Sequence, residues 1–155
     1  MSTDRIIKKE VLLKAPLEKV WHAWTTAEGA RTFFAPDANI QLRIGGPYEL
    51  YFDLSKPSGL RGSEGSRIMG FIPDNMLSFT WNNPPHLAEI RSSYTAVVLF
   101  FEQKEDAVRL ALTHKDWPEG EIWDKAFNYF ERAWDIVLKR LVDSFEKGPF
   151  DWKKE

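Results

Sequence analysis

The segment from Glu119 to Lys147 carries an apolar stripe that limits what this chain can fold into. Trp123, Phe127, Phe130, Trp134, Val137, Leu141 and Phe145 follow one another at steps of three and four, the repeat of one face of an α-helix. Asp124, Lys125, Glu131, Arg132, Asp135, Lys139, Arg140 and Asp143 lie between them, so the opposite face is solvated. At about 1.5 Å per residue the helix is about 40 Å long. A rod of that length needs an equally long apolar partner, and the sequence before it reads as strands. The expected partner is a sheet that curls around the helix.

The preceding residues supply that sheet. Arg5 to Lys14 is β-rich and stops at Ala15-Pro16, where a proline suits the first turn of a helix. That helix, with Val20, Trp21 and Trp24 on its apolar side, ends near Thr25-Thr26, and a second runs from Ala27 to Phe34. Gly45-Gly46-Pro47 separates strands at Ile40–Ile44 and Tyr48–Leu54. In the latter, Tyr48, Leu50, Phe52 and Leu54 share one face. Lys56–Gly65, rich in Gly, Pro and Ser, reads as a loop. Further strands are expected at Ser66–Ile72, Met76–Trp81, Tyr94–Glu102 and Val108–His114. The order is one α+β domain over residues 1–155, with an antiparallel sheet of six to seven strands.

Composition removes several function classes. Lys plus Arg is 21 and Asp plus Glu is 23, a net charge of −2, which gives no basis for steering towards nucleic acid or an acidic membrane. With no cysteine there is no disulfide, no thiolate metal site and no cysteine nucleophile. The first residues lack the apolar centre of a secretory signal and no run reaches membrane-spanning length, so a cytoplasmic protein is expected. His22, His86 and His114 are scattered without ligand spacing, so neither a metal nor a cofactor is expected.

Four segments in order resemble the family named after the activator of heat-shock protein 90 ATPase, within the START-like (SRPBCC) superfamily. They are Ala15-Pro16-Leu17-Glu18-Lys19-Val20-Trp21, Gly45-Gly46-Pro47-Tyr48, Pro73-Asp74-Asn75-Met76-Leu77-Ser78-Phe79-Thr80-Trp81, and Arg109-Leu110-Ala111-Leu112-Thr113-His114. The resemblance spans the chain and implies the helix-grip fold. Where the family often has Gly-Trp before its final leucines, this chain has Ala133-Trp134, so the gap at mid-helix is smaller. Members bind apolar molecules, cyclise polyketides or assist a chaperone, so the fold leaves function open. In the name-giving protein this domain accompanies another, for which this chain has no room, which weakens the chaperone reading.

The leading expectation is a binding protein for a small hydrophobic ligand, such as a lipid, sterol, polyketide or aromatic compound, held between sheet and helix. The expected lining is Trp24, Phe33, Phe34, Leu50, Phe52, Phe79, Trp81, Leu99, Leu112, His114, Phe127, Phe130 and Trp134. Entry is expected near Phe33–Phe34 and the loop before Trp117. His114 shares strand parity with Val108, Leu110 and Leu112, so its ring should point into the grip. There it is either a structural group, a ligand contact or an acid–base catalyst, and only the last would make a cyclase- or dehydratase-type enzyme. Arg31 is a candidate gate. Val98 and Phe100, apolar on the outward face, suit a homodimer or a chaperone contact.

Overall fold

The computed structural model describes residues 5–154. Seven strands and three α-helices follow the order β1 (Ile7–Leu13), α1 (Leu17–Thr25), α2 (Ala27–Ala30), β2 (Asp37–Ile40), β3 (Tyr48–Tyr51), β4 (Ile68–Ile72), β5 (Met76–Trp81), β6 (Thr95–Gln103), β7 (Val108–Lys115) and α3 (Glu121–Lys147). All pairing is antiparallel. The five-stranded sheet runs β1-β7-β6-β5-β4, and β2-β3 forms a ribbon. The ribbon continues the sheet past β4. Gly45 and Gly46 exchange backbone hydrogen bonds with Ile68, each at 2.8 Å, and Tyr48 N–H donates to Ser66 O at 2.8 Å. This is the helix-grip arrangement, an α+β fold with α3 lying on the sheet.

Local chemistry accounts for the element ends. Pro16 sits at the start of α1 with φ −62°, and its carbonyl accepts from Lys19 and Val20. The hydroxyl of Thr26 accepts from Gly29 N–H at 2.9 Å and caps α2. Glu121 and Asp124 stand in the first turn of α3 and Lys147 in the last, each with the sign that the helix dipole favours. The inward row of the sheet is nearly dry: Leu77, Phe79, Val97, Leu99, Val108, Leu110 and Leu112 are buried. From α3, Trp123, Phe130, Trp134, Val137 and Leu141 are buried, while Asp124 and Lys139 face water.

Three expected elements differ. The second helix stops at Ala30 and continues as hydrogen-bonded turns, with Ala30 O accepting from both Phe33 and Phe34. The strand expected at Ile40–Ile44 is instead Asp37–Ile40. Gln41–Gly46 is a turn closed by Arg43 and Gly46, with Gly45 at φ 79°, a region that an L side chain rarely enters. The strand expected to reach Leu54 ends at Tyr51, because Phe52 N–H and Asp53 N–H both turn to Arg61 O.

Candidate functional site

Rings fill the middle of the grip. Trp24 meets Phe33 and Phe34 edge-on at 5.0 and 5.3 Å, and Tyr48 stacks on Phe79 at 4.1 Å. Phe34 stacks on Trp81 at 5.7 Å and meets Trp134 at 5.9 Å; Trp81 and Trp134 are 5.5 Å apart. Of the expected lining, Trp24, Phe33, Leu50, Phe79, Leu99 and Leu112 lie inside this packed core. Phe33, Phe34 and Trp117 are buried as well, and Phe34 borders the groove described below.

His114 is fully buried, and both of its ring nitrogens are engaged. Trp134 Nε1–H can only donate, and it reaches His114 Nδ1 at 3.0 Å, so Nδ1 is unprotonated. The proton therefore sits on Nε2, which donates to Thr95 Oγ1 at 2.6 Å; that hydroxyl in turn donates to Trp81 O at 3.4 Å. Burial disfavours the imidazolium and lowers the His114 pKa to about 3. This chain of bonds ties α3, β7, β6 and the end of β5 to one another. Both ring nitrogens are thus occupied by protein partners.

The opening lies on the other side of α3. The helix backbone runs nearest β1, where Lys9 pairs with Glu131 and Asp135 at 3.6 and 3.1 Å. It stands off from the end of β5 and from the loop after β3. Two adjoining pockets occupy that gap, of about 320 and 250 Å³, and share Phe52, Trp81, Tyr129 and Phe130. Phe34, Ala133 and Trp134 continue the floor, and Ile136, Val137 and Arg140 the helix wall. Phe52, expected to face inward, is instead 44% exposed and forms the lip of the groove, 6.4 Å from Trp81. What was expected as an internal cavity is a surface groove.

The wall facing the helix is a constructed loop. Glu64 accepts from the backbone N–H of Gly59, Arg61 and Gly62 at 2.8 to 2.9 Å, and pairs with the Arg91 guanidinium at 3.2 Å. Burial, the largest single influence, opposes ionisation, yet these backbone donors together hold the Glu64 pKa below its ordinary value. Asn82 Nδ2 donates to Gly62 O and Glu64 O, tying the loop to the end of β5. A Cβ on Gly62 would lie 1.9 Å from Leu50 O, so only glycine lets the loop approach β3 this closely. Asn83, buried behind Arg91, gives both Nδ2 protons to Ile90 O and Ser93 O, while its Oδ1 has no partner.

The groove thus brings together five of the expected residues: Phe34, Phe52, Trp81, Phe130 and Trp134. Phe127 packs 5.3 Å from Trp117 beneath Arg5, outside it. Arg31 pairs with Asp37 at 3.4 Å and its carbonyl accepts from Trp152 Nε1, which ties it to the C-terminal turn and away from any gate. Sequence reasoning left Tyr129, Ala133, Ile136 and Arg140 out of the lining, reading Ala133 as narrowing the mid-helix gap and Arg140 as part of the solvated face. They form a second row at steps of four, three and four beside the main stripe, and the apolar Tyr129 and Ile136 were its visible signal. Among the described residues, no group of His, Cys, Asp and Glu is arranged to hold a metal ion, and no helix is long and apolar enough to cross a membrane.

The profile of the family described as activator of Hsp90 ATPase homolog 1-like protein matches residues 14–146. The chain belongs to this family. Solved structures agree with the helix-grip fold of an activator of Hsp90 ATPase homolog 1-like protein. The Aha1 dimer from Colwellia psychrerythraea has a TM-score of 0.72 at 21% identity, covering 93% of this chain and 98% of that one. Protein MLL2253 from Mesorhizobium loti gives 0.74 at 15% identity, covering 94% and 100%. CalU16 from Micromonospora echinospora gives 0.69 at 20% identity, covering 96% and 78%. No curated protein matches the chain. At these identities the likeness shows the fold alone.

Proposed function

We propose that this member of the family holds a small ligand with an apolar, mainly aromatic body in the groove beside α3. The observation that carries the reading is the pair of adjoining pockets around Phe52, Trp81, Tyr129 and Phe130. Their aromatic floor is locked from behind by the His114 hydrogen bonds. A rigid apolar floor under an open mouth costs little to order on binding. Covering about 400 Å² of ligand apolar surface at about 25 cal/mol/Å² yields about 10 kcal/mol. Association costs of at least about 4 kcal/mol leave about 6, which is micromolar-range binding or somewhat weaker. With both nitrogens of His114 engaged, the reading favours holding a ligand over acid–base work by that residue.

Trp81 and Trp134 floor the groove, so intrinsic fluorescence should change saturably when flat aromatic and fatty acyl compounds are titrated in. Ala133→Trp, which places an indole in the groove, should abolish the response while the thermal midpoint stays close to that of the parent. Absence of a saturable response to either class up to about 400 μM, about ten times the dissociation constant that 6 kcal/mol implies, rejects the proposal. A second copy of the chain is the partner we propose for the convex face. There Ile72, Met76, Phe100 and Ala111 form a cross-strand row with Phe100 50% exposed, and a relative of the same fold is described as a dimer. Light scattering should give twice the chain mass, falling to one for Phe100→Lys.

A further inference from the structure

The groove is cationic in a protein that is not. The chain carries a net charge of −2, yet the ionisable side chains with full charge along the groove and its extension past Phe52 are Lys56, Arg61, Arg91, Arg140 and Lys153 against one carboxylate, Asp53. Three of these cations are committed or distant. Arg91 is tied to Glu64, Gly59 O and Asn83 O, Arg140 lies over the rings of Phe150 and Trp152, and Lys153 sits at the far end. Lys56 and Arg61 differ. Among the described residues neither has a carboxylate within ion-pair distance, and Arg61 Nε–H donates to Lys56 O at 2.7 Å. Asp53 shares their wall; its Oδ1 accepts from Ser55 N–H and Ser55 Oγ–H at 3.0 and 2.6 Å, and Lys56 attracts its carboxylate without reaching ion-pair distance.

Arg61 is also held in place, and so is the backbone that carries Lys56. The backbone of the Arg61 turn is pinned by Glu64, which is itself buttressed by Arg91, and the Lys56 carbonyl is bound by Arg61. A fixed guanidinium and an exposed ammonium therefore stand at the polar end of a floor built from Phe52, Trp81, Tyr129 and Phe130. A neutral ligand leaves them solvated and adds nothing. A ligand with an anion at one end gains charge-assisted hydrogen bonds from a guanidinium that is already ordered, and the attraction of the neighbouring ammonium.

We infer, resting on the groove reading above, that the ligand is an anionic amphipath: an aromatic or acyl body on the ring floor, with a carboxylate, sulfonate or phosphate set between Lys56 and Arg61. The structure of the ligand past that anion is fixed only by the groove's size.

The test is a matched pair of probes, anilinonaphthalene sulfonate and its neutral parent N-phenylnaphthylamine, both of which fluoresce in apolar sites. The anionic probe should bind about tenfold more tightly at low salt. Lys56→Gln, at an exposed position, should weaken the anionic probe about threefold and leave the neutral one unchanged. Added salt should likewise weaken only the anionic probe, which checks the charge effect without any substitution. Ala133→Trp should remove both signals. Equal affinities in the parent protein, or an anionic probe indifferent to both Lys56→Gln and salt, overturn the inference while leaving the groove reading standing. Anionic binding that survives Ala133→Trp also overturns it, by placing the probe elsewhere. If neither probe binds, the groove reading falls and this inference with it.

Discussion

Acidification should destabilise this protein through one buried side chain. His114 has an ordinary pKa of 6.5 in the unfolded chain and about 3 in the folded one, where burial disfavours the charged ring. Protonation would also place a hydrogen on Nδ1, facing the N–H of Trp134 that now donates to it at 3.0 Å. Because the folded value is the lower one, the unfolded chain takes up the proton first as the pH falls. The stabilisation is complete above about pH 6.5 and is lost progressively towards pH 3. Each pH unit in that window costs about 1.4 kcal/mol, so the full traverse is about 5 kcal/mol, comparable with the whole stability of many domains. Urea unfolding at intervals between pH 7.5 and 4.5, on the parent and on His114→Gln, isolates the effect. The variant starts lower by about 1–3 kcal/mol, since Trp134 and Thr95 lose their shared partner. It should then lack the extra slope. Parallel pH profiles for the two proteins, or the His114 imidazole itself titrating near 6.5 by NMR, would refute the argument.

Other outcomes follow from the same packing. Trp134→Ala removes a buried indole and the donor to His114, and should lower stability by about 3–5 kcal/mol in chemical unfolding. Tyr48→Phe deletes the hydroxyl that donates to Trp24 O at 2.7 Å in the core, a loss of about 1–2 kcal/mol in the same assay. Gly62→Ala must push the loop off Leu50 O, so ligand affinity should fall further than the thermal midpoint, as titration and melting on one sample would show.

The long helix and the strand order were legible because they depend on local period. Trp123 to Leu141 repeat at helical spacing, and Leu77, Phe79 and Trp81 alternate as a half-buried strand must. The groove was not legible for an equally physical reason: distant residues make it. Phe52 follows the parity of Tyr48 and Leu50 in sequence, but Arg61 captures the backbone there and turns the ring to the surface. The Lys56–Gly65 segment has a loop's composition, and what makes it a wall is Glu64 gathering backbone donors with Arg91 behind it. Asn82 and Asn83 read as a chain break, yet both are buried because carbonyls from two other loops receive their amides. His114 was placed inside the grip by parity, but its engagement on both sides depends on Thr95 and Trp134, which only the folded chain brings together.

The central claim is that the opening beside α3 is a binding site, and a two-dimensional NMR titration with N-phenylnaphthylamine tests it at residue level. The account predicts saturable shifts confined to Phe52, Arg61, Trp81, Tyr129, Phe130, Ala133 and the Trp81 and Trp134 indoles, with the convex strand positions Val98 and Thr113 silent. Shifts that fail to saturate, or that centre on the convex face and leave the Trp81 indole unmoved, would contradict it.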